Sequence, residues 1–406
     1  MGLIRIPVEN LRVGMYVAEL DRAWTDTPFM FQGFTVDGPE TLAELRRLCR
    51  HVYVDQTLTA TTVSEELVGD TVTATPVQTR QRRLRRHVRD GLTRRDAAHD
   101  YLGRVMTDIR LGRSVDAEEA REQVTGLVSL VTRDASAALW LTQLKSRDEY
   151  TSLHCLNVCV LSIAFCRELG YGQEDLKTIG LGALLHDIGK ARTPLEILNK
   201  PGKLSRDEFA IMQRHPEDGY RMMRAGGKVP AEALDIIRHH HERISGHGYP
   251  QGRLGGELAQ PVLAVAIADV YDAMTSDRVY RPGMASDLAL RLMYREAEQT
   301  FGVELMEAFI RCVGIYPVGS LVELRNGAVA LVVSVEPDRR LMPDVLLLRD
   351  AEGQDLAEPE RVDLADRTDG MPDSPWHIRG VVRAEQAGVD NRALLRQEIA
   401  RLGIAV

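Results

Sequence analysis

The chain has 406 residues, 44% of them hydrophobic and 27% charged, which suits a soluble globular protein of about two or three domains. A formal net charge of −8 and a pI near 5.8 argue against a nucleic acid polymer as the main partner. A phosphate-bearing substrate stays open, because bound metal ions can dominate the local field.

In chain order, residues 1–60 read as a small α+β region, with β-like runs at Met15–Leu20 and His51–Asp55 and one helix between them. Pro39 suits the first turn of that helix, and Leu42, Leu45 and Leu48 mark its buried side. Residues 61–96 read as a linker, threonine-rich as far as Thr79 and then dense in arginine from Arg80 to Arg95. Those arginines are read as a solvated linker or helix face, with a patch for an acidic partner as the alternative. Connecting helices are expected over 97–148, and helical spacing of apolar residues continues through Leu153–Leu169, Leu181–Leu185 and Leu258–Met274. Ser205 with Glu208 three residues on predicts a capping box for the helix carrying His215. Residues 315–406 read as a β-rich module: Leu321–Leu324 and Ala328–Val335 flank Asn326-Gly327, a hairpin signal, and Val345–Leu348 offers another strand. The expected fold is therefore mainly α, a helical centre between two small strand-containing regions.

The five cysteines include no CxxC pair, so neither a disulfide framework nor a thiolate zinc site is expected; Cys155, Cys159 and Cys166 read as packing residues. No run reaches the ~18 apolar residues of a membrane span, and Met1–Pro7 lacks a signal peptide's apolar core, so the expected location is the cytoplasm.

Chemistry concentrates in two clusters, His186-Asp187-Ile188-Gly189-Lys190 and His240-His241-Glu242, the latter followed by Gly248-Tyr249-Pro250. His154 and His215 precede them, and Asp269 closes the apolar run Val262–Ala268. Taken alone, His154 or His215 reads as a hydrogen-bonded core histidine. Asp187 follows an apolar segment on an expected helix, where a buried carboxylate needs a cation: a metal, or Lys190 one turn on. Together the positions suit a two-metal centre of mixed nitrogen and oxygen ligands, in which Asp187 bridges and a coordinated water is acidified for attack on a phosphoryl group.

The same residues resemble the HD-GYP family, the branch of the HD phosphohydrolases that hydrolyses the bacterial messenger cyclic di-GMP. The likeness runs from about Tyr150 to Cys312 and defines a domain over 149–314, including Ile197 to Leu204, His215-Pro216, His240 to Arg243, Gly248-Tyr249-Pro250 and Ala268 to Met274. Gly14 to Val17, Asp26 to Phe29 and Gln32 to Phe34 look like the uncharacterised region that precedes many such domains.

The resemblance implies metal ligation by His154, His186, Asp187, His215, His240, His241 and Asp269, with Asp187 and Lys190 catalytic and Lys190 on the scissile phosphate. It implies that Arg278 and Arg281 hold substrate phosphates and that Gly248, Tyr249 and Pro250 shape the rim, where Tyr249 is either a base-stacking or a structural residue. Ser245 stands where the family usually has Asp, which puts loop shape in question; Tyr150 stands where some members carry a third-metal glutamate, so two ions are expected. His247 reads as solvent-facing. The implied cofactors are two divalent transition ions, Fe or Mn, with Zn or Ni as alternatives. The implied activity converts cyclic di-GMP to linear pGpG, with further cleavage to GMP left open. The alternatives are a non-catalytic messenger-binding or interaction module and a phosphohydrolase of another nucleotide. A homodimer or a signalling-protein partner is expected to use the flanking regions.

Overall fold

A computed structural model describes residues 3–21, 34–36, 38–55, 77–113, 115–142, 150–276, 283–335, 340–368, 374–382, 387–389, 393–394, 397 and 400–401. The chain divides into two units, one formed by 1–83 with 314–395, the other by 84–313 with 396–406.

The N-terminal segment forms strands β1 (Leu3–Pro7), β2 (Tyr16–Leu20) and β3 (Phe34–Thr35), helix α1 (Pro39–Leu48) and strand β4 (His51–Asp55). The strands make an antiparallel sheet in the order β1-β4-β2-β3. On β4 the period of two is visible: Val52 and Val54 are buried while His51 and Tyr53 are only half-buried. Pro39 occupies the first helical position, and Leu45 is fully buried beneath it while Leu42 and Leu48 are half-buried. The motif pieces Asp26 to Phe29 and Gln32-Gly33, and the threonine-rich stretch up to residue 76, lie outside the described residues.

Helix α2 (Val77–Arg110) begins well inside the segment read as a linker over 61–96. Within that segment Val88 and Leu92 are buried, and Ala98, Tyr101, Leu102 and Val105 extend the apolar stripe along the same helix. His87 is buried as well, with Nδ1 2.8 Å from Oδ2 of Asp134. The arginine-dense sequence is thus the start of a helix.

The rest of the helical unit comprises α3 (Ala117–Arg133), α4 (Ala135–Thr142), α5 (Tyr150–Glu168), α6 (Gln173–Leu184), α7 (Leu195–Leu198), α8 (Arg206–Met212), α9 (His215–Ala225), α10 (Ala231–His239), α11 (Gln260–Thr275), α12 (Ser286–Arg295), α13 (Ala297–Thr300) and α14 (Val303–Val313). Helix α5 is apolar nearly all round, as its place between α4, α6, α11 and α14 requires. Phe165 of α5 and Tyr271 of α11 both meet the ring of Phe309 of α14 edge to face, at 5.2 and 5.3 Å. Gly180 lets α6 close on α3 and α5, since a methyl group there would lie 2.7 Å from Val124 and 3.0 Å from Ile163.

After α14 the chain forms β5 (Leu321–Leu324), β6 (Val329–Ser334), β7 (Asp344–Arg349), β8 (Asp355–Asp363), α15 (Leu364–Thr368) and β9 (Ile378–Val381). These strands build an antiparallel sheet ordered β8-β7-β6-β5-β9. Asn326-Gly327 turns β5 into β6 as expected, with Gly327 at φ 92° and Asn326 Oδ1 accepting from the Ala328 amide.

Candidate metal centre

His186 and Asp187 are expected on a helix but lie in a turn, between the end of α6 at Leu184 and a 3-10 helix over Ile188–Arg192. The turn points both side chains inward, where Asp187 is 1% and His186 0% exposed. Gly189 is what permits the 3-10 helix to meet α9: a methyl group there would lie 1.9 Å from the His215 carbonyl oxygen. The capping box of Ser205 and Glu208 is present, with Ser205 Oγ accepting from the Glu208 amide. That helix nevertheless ends at Met212, and His215 opens the next one, followed by Pro216 in the first turn, where a missing amide proton costs nothing. His240 caps the end of α10, His241 follows it, and Asp269 sits on α11.

These elements converge. Asp187, His215, His240 and His241 offer ligand atoms all within 4.8 Å of one another, and so do His154, His186 and Asp269. Asp187 joins the groups: its Oδ1 is 3.2 Å from His215 Nε2, and its Oδ2 is 3.4 Å from His186 Nε2 and 3.8 Å from His154 Nε2. The ligand set expected from sequence is therefore assembled in one place.

The hydrogen bonds fix which nitrogen of each ring is free. His186, His215 and His240 each donate Nδ1–H to the carbonyl three residues back, Ala183, Met212 and Ile237, at 2.7, 2.7 and 3.0 Å. His154 donates Nδ1–H to Asp272 Oδ2 at 2.8 Å. His186, His215 and His240 thus turn an unprotonated Nε2 inward, while the Nε2 of His154 points inward onto Asp269. The consequence is crowding of lone pairs: His215 Nε2 and His240 Nε2 are 3.3 Å apart, and His215 Nε2 lies 3.2 Å from Asp187 Oδ1. His186 Nε2 and Asp187 Oδ1 are buried with no hydrogen-bond partner. Acceptors aimed at one another in a buried space call for cations between them, so these residues fit metal ions.

Electrostatics agree. Burial would raise the pKa values of Asp187 and Asp269. The Lys190 ammonium outweighs it at Asp187, and the hydrogen bond from His154 does so at Asp269, holding both well below the usual carboxylate range. Burial, reinforced by neighbouring imidazoles, pushes His240 and His241 well below the usual histidine value, leaving both rings neutral as ligands. Lys190 Nζ donates to Asp187 Oδ2 at 2.5 Å, the ion pair considered from sequence, while keeping further N–H donors. Side-chain exposure is 3% or less for His154, His186, His215 and His240 but 18% for His241 and 21% for Lys190, so the cluster opens on one side.

Tyr249 lies against that open side, its ring 4.7 Å from the His241 imidazole and 6.4 Å from Phe209. Gly248 lets the loop press on the preceding backbone, since a methyl group there would lie 2.4 Å from Glu242 Cα. The Tyr249–Pro250 peptide bond is cis. Ser245 pairs with Leu254 as an isolated β-bridge, and Gly246 takes a φ of +76°. His247 is exposed, as expected. Arg278 and Arg281 lie outside the described residues.

Two positioning roles escape the sequence reading. Asp272 orients His154 and is itself held by Asn157 Nδ2 at 3.0 Å and Ser276 Oγ at 3.1 Å. The signal was available: Asp269 and Asp272, like His154 and Asn157, are three apart on their helices. Fully buried Glu242 accepts from the amides of Gln251, Gly252 and Arg253 at 2.7, 3.1 and 3.1 Å, anchoring the rim loop. His239, which directly precedes His240 in the sequence, faces Asp235 and Gln251 instead of the candidate metal ligands. Cys155 lies within 4.8 Å of the ligand atoms of His186 and Asp187, but burial pushes its thiol well above its usual value and keeps it protonated, consistent with packing.

A helical core that gathers imidazoles and carboxylates around buried cation sites defines a metal-dependent phosphohydrolase of the HD type. Residues 135–305 match the HD domain family, 3–120 a domain of unknown function (DUF3391), and 321–370 a KOW domain associated with HD domain. The chain is 36% identical, over 93% of its length and 94% of the relative's, to a cyclic di-GMP phosphodiesterase of Pseudomonas aeruginosa. It is 31% identical to the cyclic di-GMP phosphodiesterase response regulator RpfG of Xanthomonas campestris, covering 68% of this chain and 72% of that one. A 3'3'-cGAMP-specific phosphodiesterase of Vibrio cholerae is 34% identical over 46% of this chain and 42% of its own. The chain belongs to the HD-GYP family of phosphodiesterases. No helix among the described residues is long and apolar enough to cross a membrane.

Proposed function

We propose that this enzyme hydrolyses cyclic di-GMP to linear pGpG, lowering the messenger in the bacterial cytoplasm; whether it goes on to GMP is read from the products. The observation that carries the reading is the ring of inward Nε2 atoms and carboxylate oxygens around Asp187, with Lys190 at its open edge. His215, His240 and His241 would hold one ion and His154, His186 and Asp269 the other, with Asp187 shared. When bound, divalent ions acidify coordinated water and neutralise charge on a phosphodiester. Their number is read as two; a set that mixes nitrogen and oxygen and uses no thiolate suits Fe, Mn, Zn or Ni, and the resemblance to the family puts Fe or Mn first.

The protein's own share is positional. Lys190 places an ammonium beside Asp187, where it meets the scissile phosphate; Arg278 and Arg281 hold the remaining phosphate charge. Gly248, Tyr249 and Pro250 form the rim against which a guanine lies, with Tyr249 also bracing His241. The Ala183, Met212 and Ile237 carbonyls hold three of the ligand rings so that no proton has to be displaced from Nε2, and Asp272 fixes the direction of the fourth, His154. The flanking regions are read as surfaces for a second copy or a signalling protein.

The test is turnover of cyclic di-GMP by protein loaded in turn with Mn, Fe, Zn or Ni, with metal content measured and products separated. Cleavage to pGpG that disappears on chelation and in Asp187→Ala supports the reading. Intact cyclic di-GMP beside cleaved 3'3'-cGAMP, the substrate in the Vibrio relative's name, would reassign the substrate, and tight binding without cleavage would make the chain a sensor.

A further inference from the structure

A second cavity, of about 340 Å³, lies within the helical unit on a side not used by the metal ligands. Its apolar walls include Ile109 at the end of α2, Val115 before α3, and Met222 and Met223 on α9. Its cations are Arg113, Arg192 and Lys228. Arg113 is engaged by Asp108 at 2.9 Å, but Arg192 and Lys228 are exposed and, among the described residues, meet no carboxylate.

We propose that this cavity is a second ligand site, taking a small organic phosphate of mononucleotide size. Three observations lead there. The volume falls at the low end of the roughly 300–1,000 Å³ of small-molecule sites, which suits one nucleotide better than a cyclic dinucleotide. Two unpaired cations, one a guanidinium fork, match a phosphate monoester's charge and its several acceptor oxygens. A fatty carboxylate would satisfy the apolar wall but leave one cation unmatched. Met222 and Met223 supply a polarizable wall that adapts to a flat ring.

Position gives the site a consequence. Arg192 ends the 3-10 helix that carries Lys190, and Met222 and Met223 sit about two turns along the helix that starts with His215. A ligand in the cavity therefore touches both elements that meet at Gly189 and hold Asp187, Lys190 and His215. The third wall, from α2 and the start of α3, belongs to the helices that follow the N-terminal segment.

The test is photolabelling of the metal-loaded full chain with an azido-GMP, mapped by peptide mass spectrometry. Saturable labelling of the segments 109–117 or 222–228 is expected, competed by GMP but not by the same concentration of orthophosphate. Arg192→Gln with Lys228→Gln should reduce it at least tenfold, and Met222→Trp, which fills the cavity without touching either cation, should abolish it. Labelling confined to peptides bearing the metal ligands would overturn the proposal, as would undiminished labelling in both variants. Equal competition by orthophosphate would reduce the cavity to an anion site and overturn the ligand assigned. Because labelling needs no turnover, a failed substrate assignment and a failed second site give different results.

Discussion

Asp272 accepts the Nδ1 proton of His154 at 2.8 Å, and that one bond decides which face of the ring is presented to Asp187 and Asp269. Carboxylates that orient a ligating histidine typically cost ~10–100-fold in metal affinity or activity when lost. Asp272→Ala is expected to lower metal occupancy and turnover by that factor while the fold persists. Metal titration with circular dichroism checks it; unchanged affinity would show that His154 is oriented by packing alone.

Gly189→Ala places a methyl group 1.9 Å from the His215 carbonyl and 2.7 Å from the Gly219 amide nitrogen, both main-chain atoms. Backbone cannot move aside as a flexible side chain does, so a loss on the order of 3 kcal/mol or more is expected. Urea denaturation measures it, and the variant should also lose metal, because the clash separates Asp187 from His215. A near-normal denaturation midpoint would contradict the close approach.

Glu242→Gln keeps shape but replaces a carboxylate oxygen by an NH2 group facing backbone amides. With three amides directed at this one side chain, at least one donor then meets a donor, costing ~1–3 kcal/mol. The expected phenotype is a loosened rim, with KM raised more than kcat is lowered and the metal content intact. Loss of metal with unchanged KM would place the role of Glu242 elsewhere.

Glu307 supplies a pH effect away from the metal centre. Burial pushes its carboxyl up to about 7, against which the Tyr294 hydroxyl, 3.2 Å from Oε1, gives partial relief. The folded state therefore holds a proton that the unfolded chain releases near its ordinary value. This contribution to stability is complete below about pH 4.5 and declines as pH rises through about 7, by on the order of 1–2 kcal/mol. Glu307→Gln should flatten that part of the curve between those two pH values and leave the protein more stable above it. An unchanged slope in denaturant titrations across this range would refute the assignment.

The metal centre was largely legible in sequence because its residues cluster in short blocks whose types, imidazole and carboxylate among apolar neighbours, have few uses. The local backbone was less so. His186 and Asp187 read as helical because the apolar run before them is helical; the turn is imposed by the approach of α9 at Gly189, a tertiary contact with no local signature. Likewise the stop at Met212 separates His215 from the helix its capping box starts. The beginning of α2 was hidden for a different reason: Val88 and Leu92 form a narrow stripe among arginines, and a charged helix of that kind resembles a solvated linker. Asp272 was hidden beside a stronger candidate on its own helix, and the second cavity because its walls come from elements far apart in sequence.

The unequal exposure of the ligands makes traffic through the centre one-way in space. Among the described residues His154, His186, His215 and His240 are sealed while His241 and Lys190 are partly exposed, so an ion held by this set would exchange past those two side chains, where the proposed phosphodiester would also arrive. Substrate and chelator would then compete for the same opening. A nucleotide resting there guards the ions beneath it, and the enzyme should hold its metal longest while it is busy.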